Sequence, residues 1–425
     1  LDPSFGIGGV VDTSSGAPPP GAVAYGIAIQ SDGKIVAAGS SNQKVLGFSL
    51  LYAAPSIARY NADGSLDTSF GTGEIVSYAP SGPGYFTALA LQADGRILAA
   101  GNDFGEDGCF IRRFVSDGKE DTTFGEGGAG VVHLGPNRWC NALALQPNGG
   151  IVVGGHAVIT VAGSQVSRYW LQRLNTYGSR DSKFGDGATE ILLPSDPNVL
   201  PVFYALAVDA SGTIVASGKR EILPPGTASE MVLARFDSGG RIDTTFGSGG
   251  IVAISTGTDS YAVSSAVVLQ LDGKIVTAGS SESRRPTSAD PPLLTLARVL
   301  PNGALDTSFG ASGIVTSNLG AVYAEATAVA LQRNGKLVIV GALGDSLDYA
   351  TRRVLIVRYE SDGTIDRGFG ANGHAETLAT GQAARAVAIR EDGRLNVAGT
   401  SSSDFSSQNY WIGTYFGDPV APGAQ

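Results

Sequence analysis

The chain has 425 residues, enough for two or three average domains or for one large all-β barrel or propeller. Its 43% hydrophobic content supplies a sizeable core and excludes a disordered chain, and a formal charge of −10 with only seven lysines excludes nucleic acid as a partner. No apolar run is long enough to span a bilayer, so membrane insertion is not expected. Charged residues make up 16% and glycine 60 of 425, a pairing that predicts many short strands and tight turns. A removed signal peptide would account for a start at Leu1 with Met231 as the sole methionine, and so would the manner of expression.

The chain opens on Leu1-Asp2-Pro3-Ser4-Phe5-Gly6, and the pattern Asp-x-x-Phe-Gly occurs seven times, with a hydrophobic residue before the Asp in five copies and a further glycine three residues after the Gly in five. Its phenylalanines are Phe5, Phe70, Phe124, Phe184, Phe246, Phe309 and Phe369, spaced 54 to 65 residues apart. The apolar stretch after each Phe-Gly, such as residues 250–253, predicts a strand d. An alternating run follows, such as 87–91 or 328–331, and predicts a strand a that ends at a glutamine slot (Gln30, Gln92, Gln146, Gln332). One and three residues before that slot stand Ile, Leu or Val (Ile27 and Ile29, Leu143 and Leu145), alternating with small residues such as Ala28 and Ala88. That alternation is core packing and implies no ligand.

A turn glycine comes next (Gly33, Gly95, Gly149, Gly212, Gly273, Gly335 or Gly393), then a strand b such as 34–38 or 336–340. Strand c ends in Arg59-Tyr60, Arg113-Phe114, Arg173-Leu174, Arg235-Phe236, Arg298-Val299 and Arg358-Tyr359, with Thr414-Tyr415 in the seventh copy. Asp-Gly and Asn-Gly between apolar runs are strong hairpin signals. Four antiparallel strands repeated seven times predict an all-β, seven-bladed β-propeller of four-stranded antiparallel blades. A helical repeat would show a 3.6-residue period, which is absent. Because the chain begins on strand d and ends after strand c near Phe416, residues 1–13 are expected to complete the last blade, built from about 383–416. Closure of that kind leaves no open sheet edge. The expectation is one domain over residues 1–417, with 418–425 as a C-terminal linker or tail.

Leu66-Asp67-Thr68-Ser69-Phe70-Gly71 and Leu331-Gln332-Arg333-Asn334-Gly335-Lys336-Leu337 resemble the delta-60 repeat, a bacterial extracellular repeat unit. The order of phrases is also similar to NHL-type propeller repeats. The resemblance covers essentially the whole chain and implies a secreted or cell-surface bacterial protein with a propeller fold. It implies no activity, because the signature residues are those of turns and packing.

The recurring aspartate (Asp2, Asp67, Asp121, Asp181, Asp243, Asp306, Asp366) is spread round a ring and cannot converge on one substrate. It reads as an acceptor for turn N–H groups or a partner of the strand-c arginine. The loops 61–67 and 360–366 have spaced oxygens as calcium loops do, but Tyr177 and Gly239 stand at the equivalent slot elsewhere, so hairpin turns are the reading. A weak cation site would be Asp103, Glu106 and Asp107; no other cofactor is expected. Cys109 and Cys140 are 31 apart and are expected to be two free buried thiols, with a disulfide as the alternative. His133, His156 and His374 sit at unlike phases, and no Gly-x-Ser-x-Gly elbow supplies a nucleophile.

The a–b and c–d turns barely vary, whereas b–c connections do: 19 residues separate Gly39 from Arg59 but only 11 separate Gly101 from Arg113. The b–c and d–a loops of an antiparallel meander share one face, which is where binding residues are expected. Five residues before the glutamine slot, the mouth of the central channel is lined by Tyr25, Thr87, Asn141, Tyr204, Ser265, Thr327 and Arg385, with Tyr85, Trp139, Tyr261 and Tyr323 near the rim. Aromatics beside hydrogen-bonding groups suit a glycan, a peptide or a protein partner. The expectation is a non-catalytic binding scaffold. A hydrolase or lactonase/lyase-type enzyme at the channel mouth is the alternative, and a surface-array or filament component the third reading.

Overall fold

The computed structural model describes residues 1–13, 22–44, 51–71, 75–78, 83–104, 108–185, 187, 190–193, 198–223, 228–257, 260–283, 291–377, 379–402 and 408–417. Residues 418–425, Glu106 and Asp107 lie outside that set. The fold is all-β. Each a–b hairpin turns on a glycine at positive φ, as at Gly33 and Gly95 (+82°), where a side chain would be strained. Gly33 N–H closes that turn by donating to Gln30 O at 2.9 Å.

The described strands form five four-stranded antiparallel sheets and one eight-stranded sheet. The larger one is two four-stranded meanders, residues 199–254 and 260–317, joined by a single parallel pairing of Ser229 with Tyr261. Each meander follows the a-b-c-d order of its repeat. Val10–Thr13 pairs antiparallel with Gln408–Tyr415, Val10 opposite Gly413, so the first strand of the chain lies in the same sheet as the last three.

Apolar packing is divided among clusters that bridge consecutive repeats. Val36, Ile57 and Phe70 meet Phe86, Ile97 and Phe114 between the first two repeats. Val338, Ile356 and Phe369 meet Val397, Trp411 and Tyr415 between the last two. Phe5, Tyr410 and Ile412 pack against Ala24, Ile35 and Tyr60, joining the seventh repeat to the first.

At the hairpin end of each interface a polar unit is repeated. Arg59 Nε donates to Asp67 Oδ2 at 2.8 Å, its guanidinium lies 4.7 Å above the Phe70 ring, and Nη1 donates to Ser116 O of the next repeat at 2.6 Å. Asp67 Oδ1 accepts the Ser69 N–H and hydroxyl. Arg113, Arg173, Arg235, Arg298 and Arg358 make the same Nε–aspartate bond and the same ring contact. The seventh repeat, with Thr414, substitutes: Asn396 Nδ2 donates to Thr414 Oγ1 at 2.6 Å, and Arg394 reaches Asp2 at 3.0 Å.

The expectation of two free thiols is corrected, because Cys109 and Cys140 form a disulfide. One lies in strand c of the second repeat and the other in strand a of the third, which brings their Cα atoms to 5.3 Å, within bridging range. Asp63 and Asp362 accept the N–H and hydroxyl of Ser65 and Thr364, so the two calcium-like loops are hairpin turns.

Candidate functional site

Every strand a carries a β-bulge at one place. The pairing register with strand b skips a residue between Ala24 and Gly26, Phe86 and Ala88, Cys140 and Ala142, and Phe203 and Ala205. It does so again between Ser264 and Ala266, Ala326 and Ala328, and Ala384 and Ala386. The skipped residues are the seven expected at the channel mouth: Tyr25, Thr87, Asn141, Tyr204, Ser265, Thr327 and Arg385. A bulge frees a residue from the ladder and re-aims its side chain. It also presses a carbonyl onto strand b: a Cβ at Gly155 would stand 1.8 Å from Trp139 O, and one at Gly279 would stand 1.8 Å from Val263 O. That contact requires glycine.

Bulged residues fall into two groups. Thr87 Oγ1 reaches Cys140 O (2.9 Å), Thr327 Oγ1 reaches Ala384 O (2.9 Å), and Asn141 Nδ2 donates to Phe203 O (2.9 Å). Each tie runs to the next repeat's carbonyl just before its own bulge, so these three are stitches between repeats. Tyr25, Tyr204, Ser265 and Arg385 make no such tie. Tyr25 packs on Tyr85 at 5.5 Å, and Tyr85 on Phe104 at 5.6 Å. Trp139 stacks on His156, its cross-strand partner, at 4.7 Å and 3°. Tyr261 stands opposite Glu282.

The charged groups at this end come largely from outside the ring. Tyr323 hydroxyl donates to Glu325 Oε2 at 2.6 Å, and the Arg352 guanidinium covers the Tyr323 ring at 3.9 Å and the Tyr349 ring at 5.2 Å. Arg352 Nη1 is 3.9 Å from Glu325 Oε1. Burial, and then the nearby Glu325 carboxylate, push Glu282 above the usual carboxylate range against the pull of Arg352. Burial likewise raises Tyr323, Tyr349, Tyr25 and Tyr204. Lys219 is pulled down by burial but held up overall by its 2.8 Å bond to Glu221 and by Tyr204 and Tyr261. Burial and Lys219 bring His156 down to about 4, leaving it neutral. Glu325 Oε1, Arg352 Nε, Arg385 Nε and His156 Nδ1 are buried without a hydrogen-bond partner. Buried polar atoms are normally paired, so each of these is a place where a ligand or water could complete the set, as are Gln270 Oε1, Gln332 Oε1 and Arg390 Nη1 at the hairpin end.

Glu282, Glu325, Arg352, Tyr349 and Lys219 are absent from the sequence-based expectation, which names His156 only as one of three histidines at unlike phases. Glu325 had a signal: the same slot holds Val23, Tyr85, Trp139, Val202, Val263 and Ala383 in the other repeats. Asp103 is buried at the end of Ile97–Asp103, and no group of three metal-ligating residues forms among the described residues.

A cavity of about 490 Å³ lies at the opposite, hairpin end, between the fourth and fifth repeats. There Asp209 replaces the glutamine and is committed to Ser211 and Thr213, whereas in the third repeat Gln146 reaches Gly212 O and Ser238 O and fills the interface. The cavity is a gap left by that replacement, and its Arg235 and Asp243 are bonded to each other.

Residues 30–70, 92–124, 146–184, 270–309 and 332–369 match a family described as a domain of unknown function (DUF5122) beta-propeller. The match supports a β-propeller repeat fold. Each match runs from the strand-a glutamine to the phenylalanine of Phe-Gly; the two repeats left out hold Asp209 and Arg390 at the glutamine position. No curated protein matches the chain.

Among solved structures, the propeller is similar to a protein of unknown function from Dyadobacter fermentans DSM 18053, with TM-score 0.50 and 12% identity over 96% of this chain and 99% of that one. It is also similar to the polysaccharide lyase Uly1, with TM-score 0.50 and 9% identity over 92% and 89% of the two chains. The GH93 alpha-L-arabinofuranosidase of Fusarium graminearum gives TM-score 0.46 and 10% identity over 92% of each chain. At such identities the likeness shows the fold alone. The expectation of a non-catalytic binding scaffold is corrected in favour of its enzymatic alternative, the similar structure of stated function at TM-score 0.50 being a polysaccharide lyase. No helix of the described residues is long and apolar enough to cross a membrane.

Proposed function

We propose that this protein is a glycan-cleaving enzyme with its site at the loop-side mouth of the propeller. The observation that carries the reading is the group Glu282, Glu325, Tyr323 and Arg352: two carboxylates from adjacent repeats in unlike surroundings. Glycoside hydrolysis needs such a pair, one carboxyl to protonate the leaving oxygen and one carboxylate to attack the anomeric carbon or activate water. Glu282, raised by burial and by Glu325, is the general acid. Glu325 is the nucleophile or base, oriented by the Tyr323 hydroxyl and faced by Arg352. The aromatic rim of Tyr25, Tyr85 and Trp139 offers flat surfaces to sugar rings.

The scaffold in this reading is a single domain over residues 1–417, a seven-bladed ring of delta-60 repeats closed by the N-terminal strand. Several contacts across the seam support closure. Gly6 N–H donates to Asp63 O at 2.7 Å, as Gly71 N–H does to Asp117 O at 2.6 Å between the first two repeats, and Tyr410 bonds Ser56 at 2.6 Å. An extracellular location accords with the Cys109–Cys140 disulfide, which persists in oxidising compartments.

The test is reducing-end release from a panel of plant, algal and microbial polysaccharides. Glu282→Gln and Glu325→Gln are each expected to lower turnover at least about 100-fold at an unchanged melting temperature. Release of no sugar by the wild type, or full activity in both variants, would overturn the reading.

A further inference from the structure

We infer that the glycan bound at the mouth is acidic, and that its carboxylate or sulfate group is held by Arg385. The inference rests on the glycan-cleaving reading above and adds the substrate's charge to it. Arg385 is the bulged residue of the seventh repeat, half-buried, with Nε fully enclosed. No hydrogen bond or ion pair joins it to the protein among the described residues. By contrast, Lys219 is bonded to Glu221 at 2.8 Å, and the strand-c arginines at the hairpin end are each bonded to an aspartate.

Among the described residues no group pairs with Arg385, although the Glu325 carboxylate acts on Tyr323 and Tyr349 together with it. Its guanidinium is felt by Tyr25, Tyr323 and Tyr349, whose hydroxyls burial keeps neutral. Arg352 lies against the same two tyrosines, Tyr323 and Tyr349, and its own Nε is also buried without a partner. A desolvated guanidinium without an acceptor is costly, and an incoming anion removes that cost by accepting from it. The planar fork of donors fits two oxygens of one carboxylate or sulfate, which a neutral sugar hydroxyl cannot match. The site thus presents a cation beside aromatic rings, next to the carboxyl pair that would cleave the bond.

The probe is an array of oligosaccharides bearing uronate, sialate or sulfate groups beside their neutral parents, read with the full chain as wild type, Arg385→Gln and Arg385→Lys. A charge-assisted hydrogen bond is expected to favour acidic glycans over their parents by about 10- to 100-fold. Arg385→Gln should abolish that preference without weakening the neutral parents, and Arg385→Lys should restore part of it. Equal binding of acidic and neutral glycans, no acidic glycan bound, or full preference in Arg385→Gln would each overturn the inference. Comparison of the uronate and sulfate spots tells which anion is taken. Preference lost on Arg385→Gln in a protein that releases no sugar would sink the catalytic reading and leave the anion subsite standing; cleavage of neutral glycans alone would do the reverse.

Discussion

At the hairpin end of the repeats, one arrangement of Arg, Asp and Phe recurs at the close of strand c, with Nε–Oδ2 distances of 2.8 Å at Arg59, Arg113 and Arg298. At the other end, on strand a, the bulged position is Tyr, Thr, Asn, Ser or Arg, and its neighbours change with it. Both ends are built on one backbone, so the difference lies in what the side chains are for. The recurring hairpin-end unit stitches each repeat to the next. At the mouth, Glu325, Arg352, Arg385 and His156 keep buried atoms without hydrogen-bond partners, as Gln270, Gln332 and Arg390 do at the hairpin end, so what sets the mouth apart is that its side chains differ from repeat to repeat.

The largest expected effect tests whether stitching extends round the whole ring. Removing residues 1–13 deletes the strand opposite Gln408–Tyr415, the Phe5 side chain and the Gly6–Asp63 bond. The melting temperature should fall sharply and the transition broaden. A truncated chain that melted like the full one would break the comparison, because the hairpin end would not need closure.

Arg113→Ala comes next. Arg113 and Asp121 side chains are 2% and 4% exposed, and truncation removes a charged hydrogen bond from a carboxylate that keeps Arg96 and Thr123, a loss of about 1.5–3 kcal/mol. Glycan binding at the mouth should stay within about twofold once the variant is folded, by the usual independence of distant sites. Loss of less than about 1 kcal/mol in a urea titration would mean that apolar packing alone holds the repeats.

Acid should act on the same end. The Ser308 hydroxyl and N–H, with Arg298 and Lys274, outweigh burial to hold Asp306 at about 2; at Asp366, burial is outweighed by Lys336, Gly368 N–H and Arg358, again giving about 2. Both values lie below the unfolded carboxylate value of about 3.9. Their contribution to stability is therefore full above about pH 4 and is lost as pH falls through about 2. Asp306→Asn should melt lower than wild type at pH 7, and the gap should close below about pH 3. A gap unchanged at pH 2.5 would assign the effect to the turn hydrogen bonds instead.

Much of the hairpin end was legible in the sequence because it repeats: Leu-Asp-x-x-Phe-Gly and the strand-c arginine named their own partners. The seven bulged positions were legible as equivalents through their fixed distance from Gln30 and its counterparts. The bulge that turns them out was not, since it shows only in the pairing register and in Gly155 and Gly279 lying under a carbonyl. The groups proposed to act on a glycan were less legible still. Glu282 sits at the end of a strand b, Arg352 opens a strand c after a loop, and Tyr349 lies in the loop itself, where repeats have no common spacing. Only Glu325, in a slot otherwise aliphatic or aromatic, broke a pattern strongly enough to be seen. The disulfide was hidden similarly, since a separation of 31 becomes a contact only once adjacent repeats are packed.

The smallest expected effect divides the mouth ring itself. Thr327 shares its hydroxyl proton between Val340 O at 3.1 Å and Ala384 O at 2.9 Å, tying the sixth repeat to the seventh. Ser265 occupies the same bulge one repeat earlier, half-buried and without a hydrogen bond to the described residues. Thr327→Val keeps the shape and removes the tie, which should lower stability by about 0.5–1.5 kcal/mol. Ser265→Ala should change it by no more than about 0.5 kcal/mol. The two variants differ in strand neighbours but not in backbone geometry, so the contrast isolates the hydrogen bond from the bulge. Equal losses would show that the bulged position is structural in every repeat, and Tyr25, Tyr204 and Arg385 would then have to be explained by packing rather than by a ligand.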